Sequence, residues 1–143
     1  MTVLVDTGVL YAYHDEDANR HETADAALDI VFDRELGQPF ISDYVYDETV
    51  TRTLKRTGST TNALDVGRRL RGAGSLPDVY ETLFVTPSVF DDTVDAFETY
   101  DDQQISFTDA TTVVLAERHD VDTVLSFDDD FDGVVDRTDP KSL

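Results

Sequence analysis

Thr2-Val3-Leu4-Val5-Asp6, running on through Thr7-Gly8 into Val9-Leu10-Tyr11-Ala12, is the stretch on which the fold turns. An apolar run this short, closed by an acid, reads as a strand covered on both faces over residues 2–6. A helix starts directly after it. Residues 21–36 then carry Ala24, Ala27, Leu28, Val31 and Phe32 on a stripe of 3.6-residue period, and Gly37 and Pro39 close that helix. Phe40-Ile41 reads as a brief strand. Ser42 or Asp43 can cap a helix over 43–57 that Gly58 ends, and a polar-faced helix follows over about 60–72.

The second half repeats the alternation. Residues 82–86 predict a strand, Pro87 to about Tyr100 a helix, and Ser106 to His119 another. Residues 122–126 predict a fourth strand, and Gly133-Val134-Val135 a short fifth. Strands alternating with helices predict an α/β fold: a three-layer sandwich whose central, mostly parallel sheet of about five strands is flanked by helices. A chain of 143 residues suits a single domain over 1–143. In such sheets functional groups gather beyond the carboxyl ends of the strands.

Charge is the dominant feature of the composition. Asp plus Glu number 31 against 11 Lys plus Arg, a formal net charge of -20. With 40% hydrophobic residues the chain is too apolar for a disordered acidic tail. No run approaches a membrane span and no secretory signal opens the sequence, so a cytoplasmic protein is expected. Cysteine is absent, which excludes disulfides, thiolate nucleophiles and cysteine-based zinc sites. The acids are 24 Asp and only 7 Glu, and the bases 9 Arg and only Lys55 and Lys141. Short carboxylates with few lysines match the proteins of salt-accumulating halophiles, where a Debye length of about 3 Å at 1 M salt lets like charges crowd together. An acidic mesophilic protein is the alternative origin.

So many acids make any one of them weak as a pointer, and placement must decide. Asp6 ends the first strand, where it could equally cap the next helix. Asp109, in Ser106-Phe107-Thr108-Asp109, sits in a capping-box pattern, yet it shares a stripe with Val113 and Ala116, which faces the sheet. Asp128 follows the fourth strand, in Ser126-Phe127-Asp128-Asp129-Asp130-Phe131, where a register error of one would pass the role to Asp129 or Asp130. Glu48 lies mid-helix, where pairing with Arg52 is the plain reading and Asp47 the adjacent alternative. Together these four acids lie where a parallel sheet would collect them. Four unpaired carboxylates raise one another's pKa, and a hard divalent cation such as Mg²⁺ or Mn²⁺ relieves that.

The bases are also unevenly spread. Arg52, Lys55, Arg56, Arg68, Arg69 and Arg71 fall within residues 52–71, where Asp65 is the lone acid, so this segment carries +5 and the remainder -25. Glu48, Arg52 and Lys55 share a helical stripe, which would set phosphate-binding cations beside a site acid. An ordinary solvated face, or a surface for an acidic partner segment, is the competing reading. His14, His21 and His119 have no metal-ligand spacing.

Val5-Asp6-Thr7, then Glu48, then Ser106-Phe107-Thr108-Asp109-Ala110, then Leu125-Ser126-Phe127-Asp128-Asp129-Asp130-Phe131 resembles the PIN-domain nucleases, and among them the VapC-type toxins of toxin–antitoxin systems. The resemblance covers nearly the whole chain. It implies that Asp6, Glu48, Asp109 and Asp128 are catalytic and hold Mg²⁺ or Mn²⁺, that Thr7 and Ser126 support them, and that Asp130 is a further acid beside the site. It implies hydrolysis of RNA by a metal-activated water, with 5′-phosphate and 3′-hydroxyl products. It also implies a homodimer and a small antitoxin that blocks the acidic pocket. The chain departs from the pattern at Gly8, where a small polar residue is usual, and at Ser126, where Thr is common. The local motif around Glu48 is loose.

Other readings fit less well. Asp6-Thr7-Gly8 copies the Asp-Thr-Gly of aspartic peptidases, but those require an all-β fold. A phosphoaspartyl receiver wants an acid pair after the first strand and a late lysine, and a P-loop wants Gly-Lys-Ser/Thr. The remaining alternative is a catalytically inactive scaffold of the same fold that binds RNA or protein.

Overall fold

The computed structural model describes all 143 residues. Strand β1 (Thr2–Val5) leads into α1 (Thr7–His14) and α2 (His21–Phe32), then β2 (Gln38–Ser42), α3 (Asp43–Thr57) and α4 (Thr60–Arg71). Strand β3 (Glu81–Leu83), α5 (Pro87–Thr99), α6 (Phe107–Arg118), β4 (Thr123–Leu125) and β5 (Arg137–Thr138) complete the order. The five strands form one sheet in the order β3-β2-β1-β4-β5, and every pairing is parallel. No helix is long and apolar enough to cross a membrane.

Side-chain alternation along the strands builds two cores. Val3 and Val5 of β1, Ile41 of β2 and Leu125 of β4 point to one face, packing with Val9 and Leu10 of α1, Leu28 and Val31 of α2, Val45 of α3 and Leu70 of α4. Leu4 points to the other face, against Val89 of α5 and Val114 and Leu115 of α6. Val124 extends that second face toward Val113 and Phe131. Burial of each such side chain contributes on the order of 1.5–3 kcal/mol. The central sheet between two helical layers is the expected α/β sandwich.

Local punctuation explains the boundaries. Gly58 and Gly72 close α3 and α4 in the left-handed conformation, at φ 65° and 61°. Thr86 caps α5 ahead of Pro87. Helix α2 stops at Phe32, short of residue 36, because Arg34 turns to φ 63°. Strand β3 is shorter than the expected 82–86.

The fifth strand is the main correction. It lies at Arg137–Thr138, not at Gly133-Val134-Val135. Gly133 takes φ 83°, and the amides of Val134 and Val135 both donate to the Phe131 carbonyl, so those valines cap the core from a turn. Apolar character there reports burial and not strand pairing.

Candidate active site

The chain crosses over at β1, and the carboxyl ends of β1 and β4 open onto a cavity of about 680 Å³. Asp6, Glu48, Asp109 and Asp128 all line it, with Asp129 and Thr7. Four separate pieces of chain thus bring their acids to one place.

Asp6 leaves β1 directly and is only 6% exposed. It occupies the N-cap position of α1 but makes no side-chain cap bond. Its carboxylate Oδ2 instead accepts from Ser126 Oγ at 2.7 Å. Burial first, and the nearby Asp109 second, push its carboxyl up to about 7. Asp109 does form the capping box expected of its motif: its amide donates to Ser106 Oγ at 3.0 Å and its Oδ2 accepts from the Ser106 amide at 3.3 Å. Only that one oxygen is engaged, so capping and facing the cavity are compatible. Burial, then Asp128 and Glu48, raise the Asp109 carboxyl to about 6 against the opposing Ser106 bonds.

Asp128 follows β4. Its amide donates to Ser126 Oγ at 3.0 Å, and its Oδ1 accepts from the Asp130 amide at 2.9 Å, which starts a single 3₁₀ turn. In that turn Asp128 and Asp129 face the cavity and Asp130 does not. Asp130 is exposed, and Asp128 beside it raises its carboxyl. Oxygens of all three acids lie within 4.8 Å of one another. On α3, Glu48 faces the cavity, while Asp47 is exposed and its Oδ1 accepts from Thr51 Oγ1 at 3.2 Å. The Glu48–Arg52 pair exists but is long, 4.0 Å, with the Glu48 side chain 34% exposed.

The donor set can be tested against a cation on this geometry. All four acids are hard oxygen donors around one cavity whose lining is almost wholly polar. Two of them are held far above the ordinary carboxylate range when no cation is present. Thr7, 1% exposed, keeps its Oγ1 without any hydrogen-bond partner beside Asp6. A hydrated divalent cation fits such a set, since it would balance the charge and bring water to that hydroxyl.

The basic segment divides. Arg52 lines the acidic cavity, and Lys55 and Arg56 line an adjoining one of about 330 Å³ that shares Glu48 and Arg52. Arg68, Arg69 and Arg71 of α4 line neither. Arg69 pairs with Asp65 at 3.1 Å, and Arg71 Nε donates to Tyr46 Oη at 3.3 Å.

Three cations missed by the sequence reading line the acidic cavity: Arg20, Arg137 and Lys141. Arg137, its side chain 11% exposed, donates from Nη1 to the Ser126 carbonyl at 2.9 Å and grips both oxygens of Asp132 at 2.7 and 3.1 Å. A signal existed: Arg137 and Lys141 are the only Lys or Arg after Arg118 in an acid-rich tail. Arg20, isolated between two helices, offered none.

The family profile of the PIN domain matches residues 3–136. No curated protein matches the chain in sequence. Solved structures are similar in fold. The Mycobacterium tuberculosis toxin VapC20, a sarcin-ricin loop cleaving toxin, superposes with a TM-score of 0.77 at 22% identity, covering 90% of this chain and 92% of that one. FitAcB from Neisseria gonorrhoeae gives 0.70 at 18% identity, with 99% of each chain covered. A toxin-antitoxin complex from Klebsiella pneumoniae gives 0.65 at 20% identity, with 96% and 97% covered.

Proposed function

The chain belongs to the PIN domain family, and on that premise we propose that it is a divalent-metal-dependent endoribonuclease, the toxin of a toxin–antitoxin pair. The observation that carries this reading is the convergence of Asp6, Glu48, Asp109 and Asp128 on one cavity, two of them raised well above the ordinary carboxylate range by burial and by their acidic neighbours. Asp6, Asp109 and Asp128 would hold Mg²⁺ or Mn²⁺, with Glu48 binding directly or through water. What the cation supplies when bound is a nucleophilic water at neutral pH and charge stabilisation at the leaving 3′ oxygen.

The chain's own groups do the rest. Ser126 fixes the rotation of the Asp6 carboxylate and the start of the Asp128 turn with one hydroxyl. Thr7 Oγ1, buried without a partner, would orient water carried by the cation. Asp130 adds negative potential from outside the cavity, and Arg137 anchors the loop that carries it. Arg52, Lys55 and Arg56 face the substrate strand, whereas Arg68, Arg69 and Arg71 contribute to its attraction only at longer range. The products are a 5′-phosphate and a 3′-hydroxyl.

The partners follow from the relatives. A small antitoxin is supported by solved complexes of the same fold. A homodimer is supported by an aromatic face where Tyr44, Phe90 and Phe97 surround Phe107, with Phe90 and Phe97 both exposed. We assign the protein to a halophilic archaeon on its acid-rich, lysine-poor composition, and read its 143 residues as one cytoplasmic domain.

Cleavage of a fluorescently labelled RNA in molar KCl tests the reading. Cleavage is expected with Mg²⁺ or Mn²⁺, none with EDTA, and a loss of at least about 100-fold in Asp6→Asn and in Asp109→Asn. Full activity in both folded variants would remove the assignment, and RNA binding without turnover at any metal concentration would leave a binding scaffold.

A further inference from the structure

Arg20 and Lys141 stand beside the carboxylates of the cavity and pair with none of them. The chain has nearly three acids for each base. Four of its cations, Arg52, Arg69, Arg118 and Arg137, lie within 4.0 Å of a carboxylate oxygen, while Arg20 and Lys141 do not. Arg20 precedes α2 and holds its guanidinium 4.7 Å from the centre of the Phe127 ring. Lys141 sits in the C-terminal turn packed against α2. Two positions near opposite ends of the chain, brought together by the packing of the C-terminal turn on α2, therefore both place cations at the cavity.

Cations also stand where α3 lines the cavity. Glu48 and Arg52 belong both to the acidic cavity and to the smaller one next to it, where Lys55 and Arg56 stand, also without ion pairs. The two cavities adjoin through these shared residues, so cations stand on both sides of the four acids, with Asp47 the one further acid of the smaller cavity.

We propose that this arrangement is a track for a single-stranded polynucleotide, in which Arg20 and Lys141 bind backbone phosphates on one side of the reacting phosphate and Lys55 and Arg56 those on the other. The proposal rests on the nuclease reading and names how its substrate lies. Four acids repel a phosphodiester, so attraction must come from where the neighbouring phosphates fall. An arginine plane stacked on Phe127 also offers a base its π-face, which a paired duplex cannot use.

The test uses Asp6→Asn protein, to hold RNA uncleaved, and the anisotropy of a labelled 12-nucleotide single-stranded RNA over a KCl series, with circular dichroism confirming the fold at each salt. Adding Arg20→Gln and Lys141→Gln should weaken binding at least about tenfold at the lowest salt. It should also make the slope of log K against log[KCl] shallower by about 1.4, near 0.7 for each cation removed from a single strand. Lys55→Gln with Arg56→Gln should do the same. If RNA binds with the parental slope in the Arg20/Lys141 variant, the two cations only neutralise the cavity and the track is wrong, while metal-dependent cleavage by the native chain keeps the nuclease reading. If Asp6→Asn binds no RNA at any salt and the native chain cleaves none, both fall.

Discussion

Ser126 Oγ donates to Asp6 Oδ2 at 2.7 Å and accepts from the Asp128 amide at 3.0 Å, joining acids from opposite ends of the chain through one hydroxyl. The bond lowers the Asp6 carboxyl against the burial that raises it. If these two acids hold the proposed cation, a hydroxyl that orients both without binding it governs affinity more than fold.

Ser126→Ala should therefore lower Mn²⁺ affinity roughly 10–100-fold. Isothermal titration reads this directly. Ser126→Thr keeps the hydroxyl and should stay within about threefold of the native chain. Equal affinities in all three proteins would show that the hydroxyl positions nothing.

Asp6→Asn should stabilise the metal-free protein at pH 8 while abolishing cleavage. The native carboxyl is held up to about 7, so ionising it in its buried site opposes folding, and an amide has no such cost. The expected gain is roughly 1–3 kcal/mol, because a tenfold change in proton affinity corresponds to about 1.4 kcal/mol and the amide loses the charged acceptor for Ser126. Urea unfolding of both proteins in EDTA measures it.

Metal-free native protein should lose stability as the pH rises from about 4 to 7. Asp6 and Asp109, raised to about 7 and about 6 in the folded chain, keep protons that the unfolded chain has released, so folding is favoured at the acid end. His14 opposes them: burial, then Arg69, depresses it to about 4, and its contribution grows as the pH rises toward 6.5. Two groups against one leave a net fall of about 1.4 kcal/mol for each step of one in pH over the lower part of this range. Saturating Mn²⁺ should flatten or reverse the slope in thermal melts.

Arg137→Lys should cost about 1–3 kcal/mol and loosen the loop carrying Asp128. A lysine cannot grip both oxygens of Asp132 and still reach the Ser126 carbonyl. Denaturant unfolding reads the first effect and weakened Mn²⁺ binding the second.

Gly37→Ala should destabilise by at least about 2 kcal/mol. Gly37 sits at φ 79°, and a Cβ there would lie 1.7 Å from the Met1 carbonyl oxygen. That carbonyl accepts from the Gln38 amide at 3.2 Å, where β1 and β2 begin to pair, so yielding to the methyl breaks the sheet register. Unfolding midpoints in urea give the comparison.

The fold was readable wherever burial and local chemistry agree. The run 2–6 ends in an acid because strand and helix meet there, and the Ser106–Asp109 box starts α6 as its spacing implies. Reading failed where apolar residues pack from a turn, as at Val134 and Val135, while the polar pair Arg137 and Thr138 forms the strand. The acids could be proposed because each follows an element end or shares a stripe with residues that face the sheet or the cations. Arg20 could not, because only tertiary packing carries it to the same cavity, and Arg137 and Lys141 stood out only as the two bases of an acid-rich tail.

The pairing of β1 with β4 also has a consequence for how this protein is born. Synthesis from the N-terminus makes Asp6 almost at once, but the strand beside it and the hydroxyl that holds it come 120 residues later. Until Ser126 and Asp128 have been added, one flank of β1 stands open and the cavity lacks a wall. A site built this way cannot assemble until the chain is nearly finished, because its first and last acids meet only through the final strands.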